Sequence, residues 1–139
     1  MTFKFKDVFS GTQTALGAEP AQAQAVFQAQ SRLGDGLKST VAIRQFSVGV
    51  DEPAGLGGTD AAPNPVEYIL EALGSCQKIT YRLCADALGI PLNGVSVGLT
   101  GDIDLRGFFN VGQGERPGYQ KIEARVTLDS PASERISRV

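Results

Sequence analysis

The central stretch of the chain, residues 65–88, constrains the fold most strongly, because it carries the signals of one long helix. Asn64 is a candidate N-cap, a proline follows at the first helical position, and Glu67 stands where a capping box needs an acidic side chain. Gly89 suits the residue that ends a helix, with Pro91 just beyond it. Helical spacing relates Val66, Ile69, Leu70, Leu73, Cys76, Thr80, Leu83, Cys84, Ala87 and Leu88. The pattern predicts a helix of ~36 Å that lies centrally under a sheet.

Alternating side chains before this helix predict strands. Apolar and polar residues alternate around Val41–Ile43 and over Phe46–Val50, with a tight hairpin expected at Arg44–Gln45. Alanine and glutamine alternate over residues 21–31; their propensity favours a helix, but the period of two favours a strand, and we predict a strand there. Residues 1–20 carry apolar side chains that suit a short element without indicating its type.

The pattern after the long helix predicts two further strands. Apolar positions alternate with polar ones over residues 95–105, with a bend expected at Gly101, and again over residues 122–128. Ser130 is then a candidate N-cap for another helix, which we expect to be incomplete because the sequence stops at Val139. Strands, a long helix, strands and a helix start together predict an α+β fold, with antiparallel strands around a central helix.

The composition excludes many function classes. The chain has 139 residues, no histidine and two cysteines, which excludes histidine-dependent triads, histidine-bearing zinc sites and all-cysteine zinc sites. We therefore expect no metal and no cofactor. The formal charge of −2 gives no basic field for nucleic acid or an anionic membrane. No apolar run reaches the ~18 residues of a membrane span, and the beginning of the chain lacks a signal-peptide core, so we expect a cytoplasmic protein.

The stretch FSVGVDEPAGLGGTDAAPNPVEYILEALGSC, residues 46–76, carries a family resemblance. A Gly-Gly-Thr-Asp loop, an Asn-Pro-x-Glu helix start and a cysteine after small residues resemble the OsmC/Ohr family of osmotically induced and organic-hydroperoxide-resistance proteins. The later stretch LGIPLNGVSVGLTGDIDLRGF is also similar. The resemblance covers about residues 25–139 and implies one OsmC-like domain over residues 1–139, in an intertwined homodimer.

The resemblance also implies the residues of a peroxidase site. Cys76 matches the peroxidatic cysteine on the central helix. Arg32 is the best match for the assisting arginine, with Arg44 as a rival. An ungapped count places the family's glutamate on Val66, so Glu67 beside it is the candidate, although nine residues separate it from Cys76, about 180° around an ideal helix. The family's resolving cysteine lies on a C-terminal helix that this sequence does not reach, so we expect an external thiol reductant.

The chemistry implied is reduction of organic hydroperoxides in oxidative-stress defence. A peroxidatic thiol must ionise, and a free cysteine titrates near ~8.5, so a cation is needed beside it. Because the chain has no histidine, an arginine is the simplest side chain to supply this cation. Phe108–Phe109 could form an apolar rim for the substrate or pack against a second copy in a dimer. The alternative hypothesis is a non-catalytic OsmC-fold domain that binds a small apolar ligand or serves a structural role.

The two cysteines receive different predictions from their positions. Both lie on the apolar stripe, where cysteine commonly acts as a small hydrophobe. We predict that Cys84 is part of the core. A bond between Cys76 and Cys84 of one chain is not expected, because eight residues of helix separate them by ~12 Å and a disulfide needs Cα atoms within ~7 Å.

Overall fold

The computed structural model describes residues 2–132 and combines helices with antiparallel sheets, so the α+β prediction is confirmed. The helices are α1 (Lys6–Ala18), α2 (Pro65–Leu88) and the one-turn α3 (Leu105–Phe108). The strands are β1 (Gln30–Leu33), β2 (Ser39–Ile43), β3 (Phe46–Val50), β4 (Gly94–Ile103) and β5 (Tyr119–Asp129). The chain divides into two units, one of Ala25–Glu71 and one of Met1–Gln24 with Ala72–Val139. The single-domain organisation stays a prediction.

Helix α2 has the bounds that the sequence predicts, and both of its ends are closed by the expected contacts. The Asn64 N–H donates to Glu67 Oε2 at 2.8 Å, and the Glu67 N–H donates to Asn64 Oδ1 at 2.9 Å, which completes the capping box. At the other end Gly89 has a φ of +67°, and the Ile90 N–H donates to the Ala85 carbonyl at 2.8 Å. This left-handed closure satisfies helix-end carbonyls that would otherwise lack donors.

The unit of residues 25–71 contains a three-stranded antiparallel sheet in the order β1–β2–β3. Ile43 pairs with Phe46, which confirms the two-residue hairpin, and Arg44 takes a φ of +54° to make the turn.

The loop between this sheet and α2 is organised by one carboxylate. Asp51 is fully buried and accepts hydrogen bonds from the Thr59 hydroxyl and from the N–H groups of Thr59, Ala61 and Glu52. The Thr59 hydroxyl foremost, with the Ala61 N–H next, lowers the pKa of Asp51 to about 2. The carboxylate therefore replaces the backbone partners that this irregular segment lacks.

The strand predicted over residues 21–31 is wrong for most of its length. A single 3₁₀ turn covers Pro20–Ala23, residues 24–29 have no regular structure, and β1 begins only at Gln30. Phe27 is 90% exposed. Alanine and glutamine alternate there, but no described strand pairs with residues 24–29, so alternation before Gln30 does not produce a strand.

Helix α1 occupies much of the region whose structure the sequence left undecided. None of its residues is buried. A hydrogen bond fixes the start of α1: the Phe5 N–H donates at 2.9 Å to Oδ2 of the buried Asp86, near the end of α2.

The second sheet pairs β4 with β5 in antiparallel register. The sequence predicts both strands, but it extends the first to Leu105, which lies in α3. Gly74 of α2 faces this sheet, and a Cβ there would lie 2.8 Å from Leu99 Cδ1, so the glycine permits close packing. Gly101 pairs with Ile122 within β4, and a register shift follows between Asp102 and Ile103, so the bend expected at Gly101 stays a prediction.

The helix predicted to start at Ser130 lies mostly outside the described residues. Ser130 Oγ accepts a hydrogen bond from the Ala132 N–H at 3.1 Å, as an N-cap does, and its hydroxyl donates to the Pro91 carbonyl.

Candidate active site

The predicted peroxidatic residue, Cys76, is exposed on α2 and lines a cavity of about 490 Å³. The cavity lies between α2 and β5. Its lining residues are Cys76, Gln77, Thr80, Tyr81, Cys84, Ala85, Leu88, Ile90, Leu92, Ala124, Val126 and Leu128. The lining contains no aspartate, glutamate, lysine or arginine side chain, so the cavity suits an apolar molecule with a small polar end.

The second cysteine shares this cavity. Cys84 is exposed and free, as Cys76 is, so its predicted place in the core is wrong. Helical spacing correctly placed both cysteines on one face of α2. Spacing cannot show how far the facing strand covers that face, and β5 leaves the part carrying the thiols open.

One polar atom in the cavity wall lacks a partner. Gln77 follows Cys76 directly and also lines the cavity, and its buried Oε1 has no hydrogen-bond partner among the described residues. An unpaired buried acceptor is costly, typically ~1–3 kcal/mol, so Gln77 is a candidate to bind a ligand's hydroxyl. Sequence reasoning missed this residue because an isolated glutamine on a helix carries no motif.

Glu67 lies at the first turn of α2 and is occupied by the capping box. Its side chain is exposed, and Oε2 accepts the Asn64 N–H. Nine residues of unbroken helix separate Glu67 from Cys76. The capping contacts explain why the residue is acidic without any part in catalysis.

Comparison with known proteins identifies the family. A family model described as OsmC-like protein matches residues 58–139, which is more than half of the chain. The chain belongs to the OsmC-like protein family. A comparison with curated proteins finds no match.

Solved structures show the same OsmC-like fold. The crystal structure of an OsmC-like protein from Mycoplasma pneumoniae has a TM-score of 0.67 at 21% identity, over 80% of this chain and 74% of that one. An organic hydroperoxide resistance protein OsmC from Legionella pneumophila has a TM-score of 0.52 at 19% identity, over 75% of this chain and 68% of that one.

The two candidate arginines lie in the unit of residues 25–71. Arg32 is exposed on β1, opposite Thr40 of β2. Arg44 is exposed in the β2–β3 turn, with its guanidinium 5.1 Å from the centre of the Phe46 ring. That stacking gives Arg44 a local contact of its own, whereas the described hydrogen bonds and ion pairs give Arg32 none.

The two adjacent phenylalanines lie elsewhere on the unit that contains Cys76. Phe108 and Phe109 form an edge-to-face pair with ring centres 5.1 Å apart, and both are exposed. Neither lines the cavity, so the expected apolar rim is formed by residues of α2 and β5 instead.

Within residues 2–132, no group of three or more cysteine, aspartate or glutamate residues is arranged to hold a metal ion. In the same range, no helix has the length and apolar character needed to cross a membrane.

Proposed function

We propose that this OsmC-like protein reduces organic hydroperoxides through Cys76, as part of defence against oxidative stress. The observation that carries the proposal is an exposed thiol in the wall of an uncharged cavity of about 490 Å³. The family supports it, and so does the Legionella neighbour, which is named an organic hydroperoxide resistance protein.

The proposed reaction uses the cavity to hold the alkyl group and the thiol to break the peroxide bond. The Cys76 thiolate attacks the terminal oxygen, the S–O bond forms, the O–O bond breaks, and the alkoxide leaves as an alcohol after taking a proton. Side chains of β5 such as Val126 and Leu128 would contact the alkyl group. Apolar contacts of this kind favour an organic hydroperoxide over hydrogen peroxide.

The proposed assisting residues are an arginine and Glu67. Arg32 is the first candidate to favour the thiolate, since its guanidinium is always charged, and Arg44 is the second.

Glu67→Gln isolates the contribution of the carboxylate, because a glutamine oxygen can still accept the Asn64 N–H. We expect slower oxidation of Cys76 with a loss of stability below ~0.5 kcal/mol, and an unchanged rate would remove Glu67 from the mechanism.

We further propose a cytoplasmic homodimer that an external thiol reduces. Both cysteines are free, as a reducing compartment would keep them. Among the described residues, only the apolar side chains of Ala85 and Leu92 are buried, so much apolar surface is available to a second copy. Sedimentation at micromolar concentration tests the dimer, and a mass of one chain would contradict it.

The direct test of the reactive thiol is intact-mass analysis after one equivalent of cumene hydroperoxide. We expect a one-oxygen adduct on Cys76 in Cys84→Ser, which removes the other thiol from the same cavity. Cys76→Ser is the matched control and should give no adduct at position 76. An unmodified Cys76 in folded protein would overturn the proposal.

A second candidate is a non-catalytic domain that binds a small apolar ligand in the same cavity. The observation that favours it is the capping box, which occupies the carboxylate expected to assist catalysis. This candidate predicts that a fluorescent apolar probe binds equally well to the wild type and to Cys76→Ser. It also predicts that hydroperoxide leaves Cys76 unmodified, so the two candidates give opposite results in the mass experiment.

A further inference from the structure

We propose that the hydroxyl of Thr80 donates a hydrogen bond to the alkyl-bearing oxygen of the hydroperoxide while Cys76 breaks the O–O bond. The inference rests on the proposed peroxidase function and adds to it a second residue that touches the reacting atoms. Thr80 lies one helical turn after Cys76 on α2, and both residues are exposed in the wall of the same cavity. Side chains four residues apart on a helix are neighbours, with Cβ atoms ~5–6 Å apart.

The Thr80 hydroxyl is available as a hydrogen-bond donor. In α1 the hydroxyls of Thr12 and Thr14 each donate to the carbonyl four residues earlier, at 2.8 and 3.0 Å. In the part of the chain that the structure describes, the Thr80 hydroxyl has no hydrogen bond of this kind or of any other. No internal hydrogen bond therefore has to break before Thr80 donates to a substrate.

The position of Cys76 in the cavity fixes how a hydroperoxide must lie. Cys76 is the first residue of α2 in the lining, and the lining continues along the helix to Leu88. Apolar side chains towards the end of the helix and beyond it offer contacts to an alkyl group, namely Leu88, Ile90 and Leu92. The oxygen that carries the alkyl group must therefore point from Cys76 along the helix, which is the direction of Thr80.

The distances suit contact of one hydroperoxide with both side chains. A thiolate attacks from ~3–3.5 Å, and an O–H···O hydrogen bond spans ~2.7–2.8 Å. Because the displacement is in line, the leaving oxygen lies beyond the attacked oxygen as seen from the sulfur. A hydroxyl one turn further along the helix can therefore reach the leaving oxygen.

Thr80 is better placed for this contact than the other uncharged polar side chains of the lining, Gln77 and Tyr81. At 100° per residue, Thr80 lies about 40° around the helix from Cys76. Gln77 lies about 100° and Tyr81 about 140° around the helix from Cys76. Thr80 is thus the one of the three most nearly aligned with the thiol along the helix axis.

The chemical step balances without any further oxidant or reductant. The Cys76 thiolate attacks the terminal oxygen, the S–O bond forms and the O–O bond breaks, which gives a sulfenic acid. The alkyl-bearing oxygen leaves with the electron pair of the O–O bond and takes a proton from water, which gives the alcohol. Thr80 keeps its own proton and stabilises the negative charge that develops on this oxygen in the transition state.

The test measures the rate of Cys76 oxidation by rapid quenching and intact mass, with Cys84→Ser as the parent so that one thiol remains. Thr80→Val removes the hydroxyl and keeps the side-chain shape, whereas Thr80→Ser keeps the hydroxyl. We expect Thr80→Val to react about 10- to 100-fold more slowly with cumene hydroperoxide, since a hydrogen bond to a charged oxygen is lost. Thr80→Ser should react at nearly the rate of the parent. With peracetic acid all three proteins should react at similar rates, because the acetate that leaves is weakly basic and needs little stabilisation.

Alkylation of Cys76 by iodoacetamide over a pH series completes the comparison, because it reports the thiolate and involves no peroxide. An alkylation profile shifted by Thr80→Val, with equal slowing for both oxidants, would place the hydroxyl on the thiolate and overturn the inference. A Thr80→Val rate equal to that of the parent would do the same, as would a Thr80→Ser rate as low as that of Thr80→Val. Each of these results leaves the peroxidase proposal standing. An unoxidised Cys76 in the folded parent would overturn the peroxidase proposal, and this inference with it.

Discussion

At the scale of single residues, the two side chains with the clearest consequences are Asp51 and Cys84. Asp51 shows how one buried carboxylate can order a loop rich in glycine and proline, through a hydroxyl and several backbone N–H groups. Cys84 shows the opposite case, an apolar-stripe residue that the fold leaves open to the cavity. Neither role could be predicted from the sequence. The bonds of Asp51 depend on how residues 52–61 fold back on it, and the exposure of Cys84 depends on how far β5 covers α2.

The lowered pKa of Asp51 predicts loss of stability in acid. Its folded pKa of about 2 lies below the ordinary value of 3.8, so its stabilising effect is complete above about pH 4 and is lost as the pH falls towards 2. Asp51→Asn should therefore be less stable than the wild type at pH 7, with the difference shrinking below pH 4. Urea unfolding at a series of pH values measures this, and a difference that stays constant down to pH 2 would contradict it.

At the scale of elements, α2 was predicted to the residue, whereas the strand over residues 21–31 was not. The ends of α2 depend on neighbours in sequence: Asn64 with Glu67 at the start, and Gly89 at the end. Such local chemistry can be read directly from the chain. A strand depends on a partner, and the alternation of residues 21–31 does not show whether one exists.

The capping box predicts the effect of two substitutions at the start of α2. Asn64→Ala removes the acceptor for the Glu67 N–H and should lower the free energy of unfolding by ~1 kcal/mol. Glu67→Gln keeps an acceptor for the Asn64 N–H and should cost less than half as much. Chemical denaturation of both variants compares them, and equal losses would show that the reciprocal bonds do not stabilise the helix start.

At the scale of the whole molecule, the α+β class and the family could be predicted from strand alternation, one long helix and the stretch from Phe46 to Cys76. The candidate site was predicted less completely. Cys76 was chosen from the resemblance, and the structure adds the cavity, Gln77 and Cys84 around it. The assisting role of Arg32 or Arg44 stays a prediction.

The most direct test of the account is turnover of cumene hydroperoxide with excess dithiothreitol, followed by the amount of alcohol formed per protein chain. The wild type should form many equivalents of alcohol, because the thiol in the apolar cavity is oxidised and restored repeatedly. Cys76→Ser should form no more than buffer containing the reductant alone. Equal alcohol formation by the wild type and Cys76→Ser would contradict the central claim that Cys76 reduces organic hydroperoxides.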